Sequence, residues 1–302
     1  MKRLLPLVFL VVPFSAQAHG GSHDPISPWS LEAWVAFPLL CSAALYAIGV
    51  ARLWLKLAPG RGVRGWQAAS FACGWLLLIV ALVSPMHALG ERLFTAHMLE
   101  HEILMAVAAP LLVVARPIGG MLWGLPLRWR KAFGSLGRYA PLTNLWQLLV
   151  DPFIATLIHG AAIWLWHIPP LFEAALANPF VHGLQHVSFF GSALLFWWAL
   201  IRGRARTRGY GVAAFYLFLT ALHSGFLGIL LSIARVPIYR DQSSAAAQWG
   251  LTPLEDQQLA GLIMWVPAGS IYAAATLVML GIWIHQSSVM PVRGGGHAPL
   301  SH

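Results

Sequence analysis

Residues 97–102 read HMLEHE and open a strongly apolar run, ILMAVAAPLLVV. A second pair with the same spacing stands at His182 and His186 in HGLQH. In a helix, side chains four residues apart project from one face, so each pair presents two imidazoles together. Neutral imidazole is the commonest metal ligand, and two such faces can build a four-nitrogen site between helices. His87 and His167 end neighbouring apolar runs at the same level, and Met98 and Met264 bring thioethers that would tilt a site towards Cu(I). Asp256, Gln257 and Gln258 add a carboxylate and two amides near that level. Glu100 and Glu102 cannot both share the face of His97 and His101. One is expected to orient a ligand ring by accepting its free N–H, and the other to reach the outer interface. His159 and His223 fall deeper and form a candidate second station. A lone buried histidine is more often a satisfied hydrogen-bonding group than a ligand, which is the simpler reading of His87 and His223 taken singly.

The elements that must position these groups follow from composition. The chain has 302 residues, 58% of them hydrophobic and only 10% charged, with a mean hydropathy of +0.69, which excludes an ordinary soluble domain. Seven apolar segments approach the length of about 20 residues needed to cross a hydrocarbon core. They cover approximately 31–55, 66–86, 94–115, 150–168, 182–201, 211–234 and 258–284. None alternates like a membrane barrel strand, so the expected fold is an all-α polytopic transmembrane bundle of about seven spans. The two cysteines, Cys41 and Cys73, lie in different apolar runs without CxxC or CxC spacing, which argues against a thiolate clamp.

The first 18 residues, MKRLLPLVFLVVPFSAQA, have the basic start, short apolar stretch and A-x-A ending of a cleaved secretory signal. Cleavage would leave residues 19–30 as a short periplasmic segment opening on His19, whose amine and imidazole, with His23, could chelate Cu(II). Residues 31–285 then form the membrane domain and 286–302 a cytoplasmic tail. Fourteen basic residues fall on one side of the bundle: Arg52, Lys56, Arg61 and Arg64; Arg116, Arg128, Arg130, Lys131 and Arg138; Arg202, Arg204, Arg206 and Arg208; and Arg293. Arg92, Arg235 and Arg240 fall on the other, so the positive-inside rule places the N-terminus in the periplasm, the C-terminus in the cytoplasm and the histidine pairs outside. The net charge of +9 is a topology signal of this kind, and no nucleic-acid partner is expected.

The basic, tryptophan-rich stretch 116–149 is expected along the inner face as an interfacial anchor, with a partner-docking surface as the alternative. The loop from Arg235 to Glu255 is expected to be solvated. No fixed repeat, glycine-rich phosphate loop or GxSxG turn is present.

The blocks HMLEHEILMAVAAPLLVVARP (97–117), WHIPPLFEAAL (166–176), HGLQHVSFFGSALLFWW (182–198) and DQQLAGLIMWVP (256–267) resemble those of the CtaG family of multi-spanning cytochrome c oxidase assembly factors. The resemblance runs from about residue 30 to 285. It implies a bacterial inner-membrane protein, in contact with the lipid bilayer and oxidase subunits, that handles copper for haem-copper oxidase. Its motif positions here are His97, His101, His167, His182 and His186, with Asp256 and Gln257. The expected mechanism is non-enzymatic: copper arrives outside, from a periplasmic donor, is held by imidazoles and passes to an oxidase subunit. Three alternatives stand beside it: a haem-binding membrane redox protein, a di-metal hydroxylase-like enzyme and an assembly scaffold without metal.

Overall fold

The computed structural model describes residues 29–30, 32–203, 209–239 and 242–289. The expected signal peptide, His19 and His23, Arg204, Arg206, Arg208, Arg240, Arg293 and the tail from residue 290 lie outside the described residues.

The described residues are helical, without strands. Six helices are long and apolar enough to cross a membrane: α1 (Ala33–Leu57), α2 (Gly65–Leu82), α4 (Phe94–Ala115), α10 (Pro179–Ile201), α11 (Tyr210–Ser232) and α12 (Pro253–Val289). Between α2 and α4 lies the short α3 (Pro85–Gly90). After α4 come α5 (Pro117–Gly124), α6 (Leu127–Leu136) and α7 (Ala140–Leu149), then α8 (Pro152–Trp166) and the short α9 (Pro169–Ala177). The expected fourth span is α8, whose 15 residues reach spanning length only together with α7 across a 66° bend. Asp151 stands at that bend and caps α8 by accepting from the Phe153 N–H at 3.1 Å.

The expected second span ran to residue 86, but α2 stops at Leu82. Ser84 and Pro85 start a new helix there: the Ser84 hydroxyl accepts from the Met86 N–H at 3.2 Å, and proline at the first helical position cannot continue a preceding one. The last helix is longer than expected, at 37 residues. At 1.5 Å per residue it rises about 55 Å, well beyond a core of about 30 Å, so its ends extend past the apolar layer.

The core is divided between two apolar clusters that share α4. One gathers Met105, Phe189, Phe196, Trp197, Leu217, Met264 and Tyr272 from α4, α10, α11 and α12; the other gathers Leu39, Tyr46, Phe71, Leu78, Leu104 and Leu112 from α1, α2 and α4. Residues Ile103–Ala108 of α4 form a π-helical stretch, whose Met105 carbonyl accepts from the Trp197 indole at 2.9 Å. Such a stretch re-aims the residues that precede it relative to those that follow, and here it begins directly after HMLEHE. α1 packs against α5 at backbone distance; a methyl group on Gly49 would collide with the Gly120 carbonyl.

The segment 116–149 is therefore not a single surface anchor. α5 is packed into the bundle by Gly120 and Gly124, and the Arg52 guanidinium donates to the Gly124 carbonyl at 2.8 Å. α6 and α7 bury no residue, in line with an interfacial position. The loop after α11 also departs from expectation. Tyr239, Gln242, Ser243, Ala245 and Ala246 are buried, and the Ala245 N–H donates to the Arg92 carbonyl at 2.9 Å. Its small side chains read as solvated in sequence, yet they let the loop close over the ends of α3 and α4.

Candidate metal centre

Four imidazoles form a closed ring at the end of the bundle covered by that loop. His97 and His101, one turn apart on α4, have ring centroids 4.2 Å apart, and His182 and His186 on α10 are 4.3 Å apart. Between helices, His97 faces His182 at 5.7 Å and His101 faces His186 at 5.3 Å. The i, i+4 spacing thus produces two facing pairs. His87 of α3 closes one edge, with its ring 5.6 Å from His182 and 5.7 Å from His186.

Glu100 joins this ring. One carboxylate oxygen accepts from His87 Nδ1 at 2.9 Å and lies 3.4 Å from His186 Nε2. His87, Glu100 and His186 each offer a ligand atom within 4.8 Å of the others, and His87, Glu91 and His182 form a second such set nearer the surface. An ionised carboxylate can only accept, so with Glu100 ionised a neutral His87 would carry its proton on Nδ1 and keep a lone pair on Nε2. Burial alone would lower the His87 pKa, but the hydrogen bond to Glu100 and the charges of Glu100, Glu91 and Glu32 outweigh it and raise the pKa above the usual imidazole value.

Two features hold Glu100 and its helix in place. Gly90, at the end of α3, leaves room for α4: a methyl there would lie 3.0 Å from Glu100 Oε2 and 3.3 Å from His97 Cα. Asp256 of α12 caps α4 from outside the helix, accepting from the Phe94 and Thr95 N–H groups at 2.8 and 2.9 Å and from the Thr95 and Ser243 hydroxyls at 2.6 Å each. A carboxylate satisfies two orphan N–H groups here and complements the positive end of the helix dipole.

The expected ligands differ in what they contact. His97, His101, His182 and His186 converge as the spacing predicts. His167 ends α8 beside them, its ring near Phe189; Nδ1 donates to the Ile163 carbonyl at 2.6 Å, which leaves Nε2 as a lone-pair donor. Met98 packs with Phe94, Phe172 and Tyr239, and Met264 packs with Phe189, Trp197 and Tyr272. Asp256 has its oxygens engaged by α4 and the covering loop; Gln257 accepts from the Ile238 N–H and donates to the Leu231 carbonyl of α11, and Gln258 donates to the Ala234 carbonyl. His159 is fully buried between Ser192 Oγ at 3.1 Å and Tyr272 Oη at 3.4 Å, while His223 is half-buried and accepts from the Trp164 indole at 3.3 Å. Neither belongs to a group with metal-ligand spacing among the described residues, and nor do His97, His101 and His167.

Sequence reasoning treated His87 as a bonding residue and left open which carboxylate orients a ring. Glu100 is that carboxylate, with His87 as the ring. The signal was the Ser84–Pro85 break, which turns His87 back towards α4. Glu102 does not reach the outer interface: it is buried, and one of its oxygens has no hydrogen-bond partner. Its position follows from α4 packing against α2, α3, α10 and α12, with Leu99 on the face left exposed.

A family model described as cytochrome c oxidase caa3 assembly factor (Caa3_CtaG) matches residues 44–286. Among curated proteins, an uncharacterised protein of Mycobacterium leprae is 26% identical over 242 residues, covering 74% of this chain and 36% of its own length. Uncharacterised proteins of Mycobacterium bovis and Mycobacterium tuberculosis are each 24% identical over 286 residues, 90% of this chain and 42% of theirs. The chain therefore spans less than half the length of these relatives. No solved structure matches. A match over residues 44–286 takes in every helix that contributes to the histidine ring, and the chain belongs to the family of cytochrome c oxidase caa3 assembly factors.

Proposed function

We propose that the chain supports assembly of haem-copper oxidase by holding copper as cargo at the His87, Glu100 and His186 set, with His97, His101 and His182 completing the ring. One observation carries this reading. Both ring nitrogens of His97 and His101, one nitrogen each of His167, His182 and His186, and Glu100 Oε2 are buried without a hydrogen-bond partner. Each such group costs about 1–3 kcal/mol when left unsatisfied. A bound cation would satisfy several at once, and neutral imidazoles beside one carboxylate are the donors it needs.

The donor set is nitrogen and oxygen, which suits Cu(II) better than Cu(I). In the orientation that the basic residues favour, the ring lies on the periplasmic side and copper reaches it without crossing the apolar layer. The covering loop, with Tyr239 donating to the His167 carbonyl at 2.7 Å, would open for transfer to an oxidase subunit. The role is carriage without bond-making chemistry.

The test is oxidase assembly in host membranes in which the chain is replaced by Glu100→Gln or His186→Ala variants. Oxidase lacking copper, with the variants present in the membrane at normal levels, is the expected result. Full copper content in the oxidase of both variants would overturn the reading. A Soret band on the purified chain would favour haem.

A further inference from the structure

The opposite end of the bundle carries a cavity of about 430 Å³ between the end of α1, the first turn of α2 and the first turn of α5. Arg64 and Arg116 line it with Trp66, Gln67 and Trp123. We infer that this cavity binds the phosphate headgroup of an anionic phospholipid.

Positive charge at this end is almost uncompensated within the described residues. Among the described residues this end presents ten cations: Arg52, Lys56, Arg61, Arg64, Arg116, Arg128, Arg130, Lys131, Arg138 and Arg202. The only described carboxylate near it is Asp151, which caps α8. Neither Arg64 nor Arg116 is paired with a carboxylate among the described residues. An anion held by Arg64 and Arg116 would therefore come from beyond the described residues.

Two helix starts, at Gly65 and Pro117, meet there beside the ends of α1 and α4, so the helix dipoles oppose one another and the two guanidinium groups supply the positive charge. Arg116 takes a left-handed conformation at φ 55°, which ends α4 and turns the chain into α5 beside the cavity. The cavity is far larger than an inorganic phosphate needs and has Leu53 and Val63 on its apolar side.

Depth identifies the source of the phosphate. The cavity lies where the apolar helices α1, α2 and α4 end, which is the headgroup level. Trp66 is exposed there, and Trp123 is flanked by Arg130 at 4.2 Å and Lys56 at 5.6 Å, as interfacial indoles and cations are. Anionic lipids of the cytoplasmic leaflet attract such clusters. The inference does not depend on copper binding at the other end.

The test uses the full chain in detergent with phosphatidylglycerol or phosphatidylcholine added at equal mole fraction, read by native mass spectrometry and thermal unfolding. Phosphatidylglycerol should be retained and should raise the melting temperature by several degrees, and phosphatidylcholine should do neither. The pair Arg64→Gln and Arg116→Gln should weaken retention about tenfold or more. The pair Arg128→Gln and Arg138→Gln, which removes equal charge outside the cavity, should leave it unchanged. Equal loss in both pairs, or no loss in the first, would overturn the inference. Equal protection by inorganic phosphate at matched ionic strength would also overturn it, in favour of a soluble anion. If the glutamine pair fails to elute as a folded protein, Arg64→Lys with Arg116→Lys decides: retention within a few-fold of wild type supports the site, and none contradicts it.

Discussion

The Asp256 carboxylate sits on the Phe94 N–H at 2.8 Å, so the last helix of the bundle caps the helix that carries His97 and His101. The two residues are 162 positions apart. Replacing Asp256 with Asn puts an amide where two N–H groups and two hydroxyls need acceptors. Asp256→Asn should destabilise the protein by about 1–3 kcal/mol and lower its copper affinity, because the ring loses the register of α4. Thermal unfolding and copper titration check both, and unchanged copper affinity at reduced stability would separate the cap from the site.

Gly90 tests the fit of Glu100 against α3. Alanine is the better helix former by about 1 kcal/mol, so Gly90→Ala would stabilise α3 if space allowed. The methyl instead meets Glu100 Oε2 at 3.0 Å. The expected outcome is a folded protein whose copper affinity falls about 10–100-fold, the range seen when groups that orient ligands are displaced.

The His87–Glu100 pair gives a pH dependence of definite sign. Its folded pKa is raised, so in metal-free protein the stabilisation is fully present below the unfolded imidazole value of about 6.5 and is lost as pH rises through the folded value. Copper needs the deprotonated ring, so its affinity should fall as pH drops through the same range. His87→Gln should remove both dependences, as measured by unfolding and by copper titration at stepped pH.

The covering loop makes a kinetic prediction. Tyr239→Phe removes the hydrogen bond to the His167 carbonyl, and Gln242→Ala removes the one from its amide to the Gly90 carbonyl at 2.6 Å. Each should cost about 1 kcal/mol and speed copper release to a chelator several-fold without changing the number of ions bound. Stopped-flow transfer to a coloured chelator reads the rate.

The helices and the facing histidine pairs were legible because their signals are periodic: apolar runs of spanning length, and imidazoles one turn apart. What was hidden depends on contacts between distant segments. Asp256 looks like a ligand in DQQLAGL, and only the arrival of Phe94 and Thr95 shows it as a cap. His87 looks like a lone histidine until the Ser84–Pro85 break turns it towards Glu100. Gln242 and Ser243 have the composition of a solvated loop, and their burial follows from bonds to Gly90 and Asp256. Glu102 carries no sequence mark of the enclosure that buries it.

The decisive experiment on the histidine ring is the copper stoichiometry of the purified chain, measured for wild type beside Glu100→Gln and the His182→Ala, His186→Ala pair. Close to one copper per wild-type chain is expected and almost none in the histidine variant, with Glu100→Gln weakened and all three equally folded. Wild-type protein that takes up no copper, or variants that keep it, would contradict the assignment of the histidine ring as the copper site.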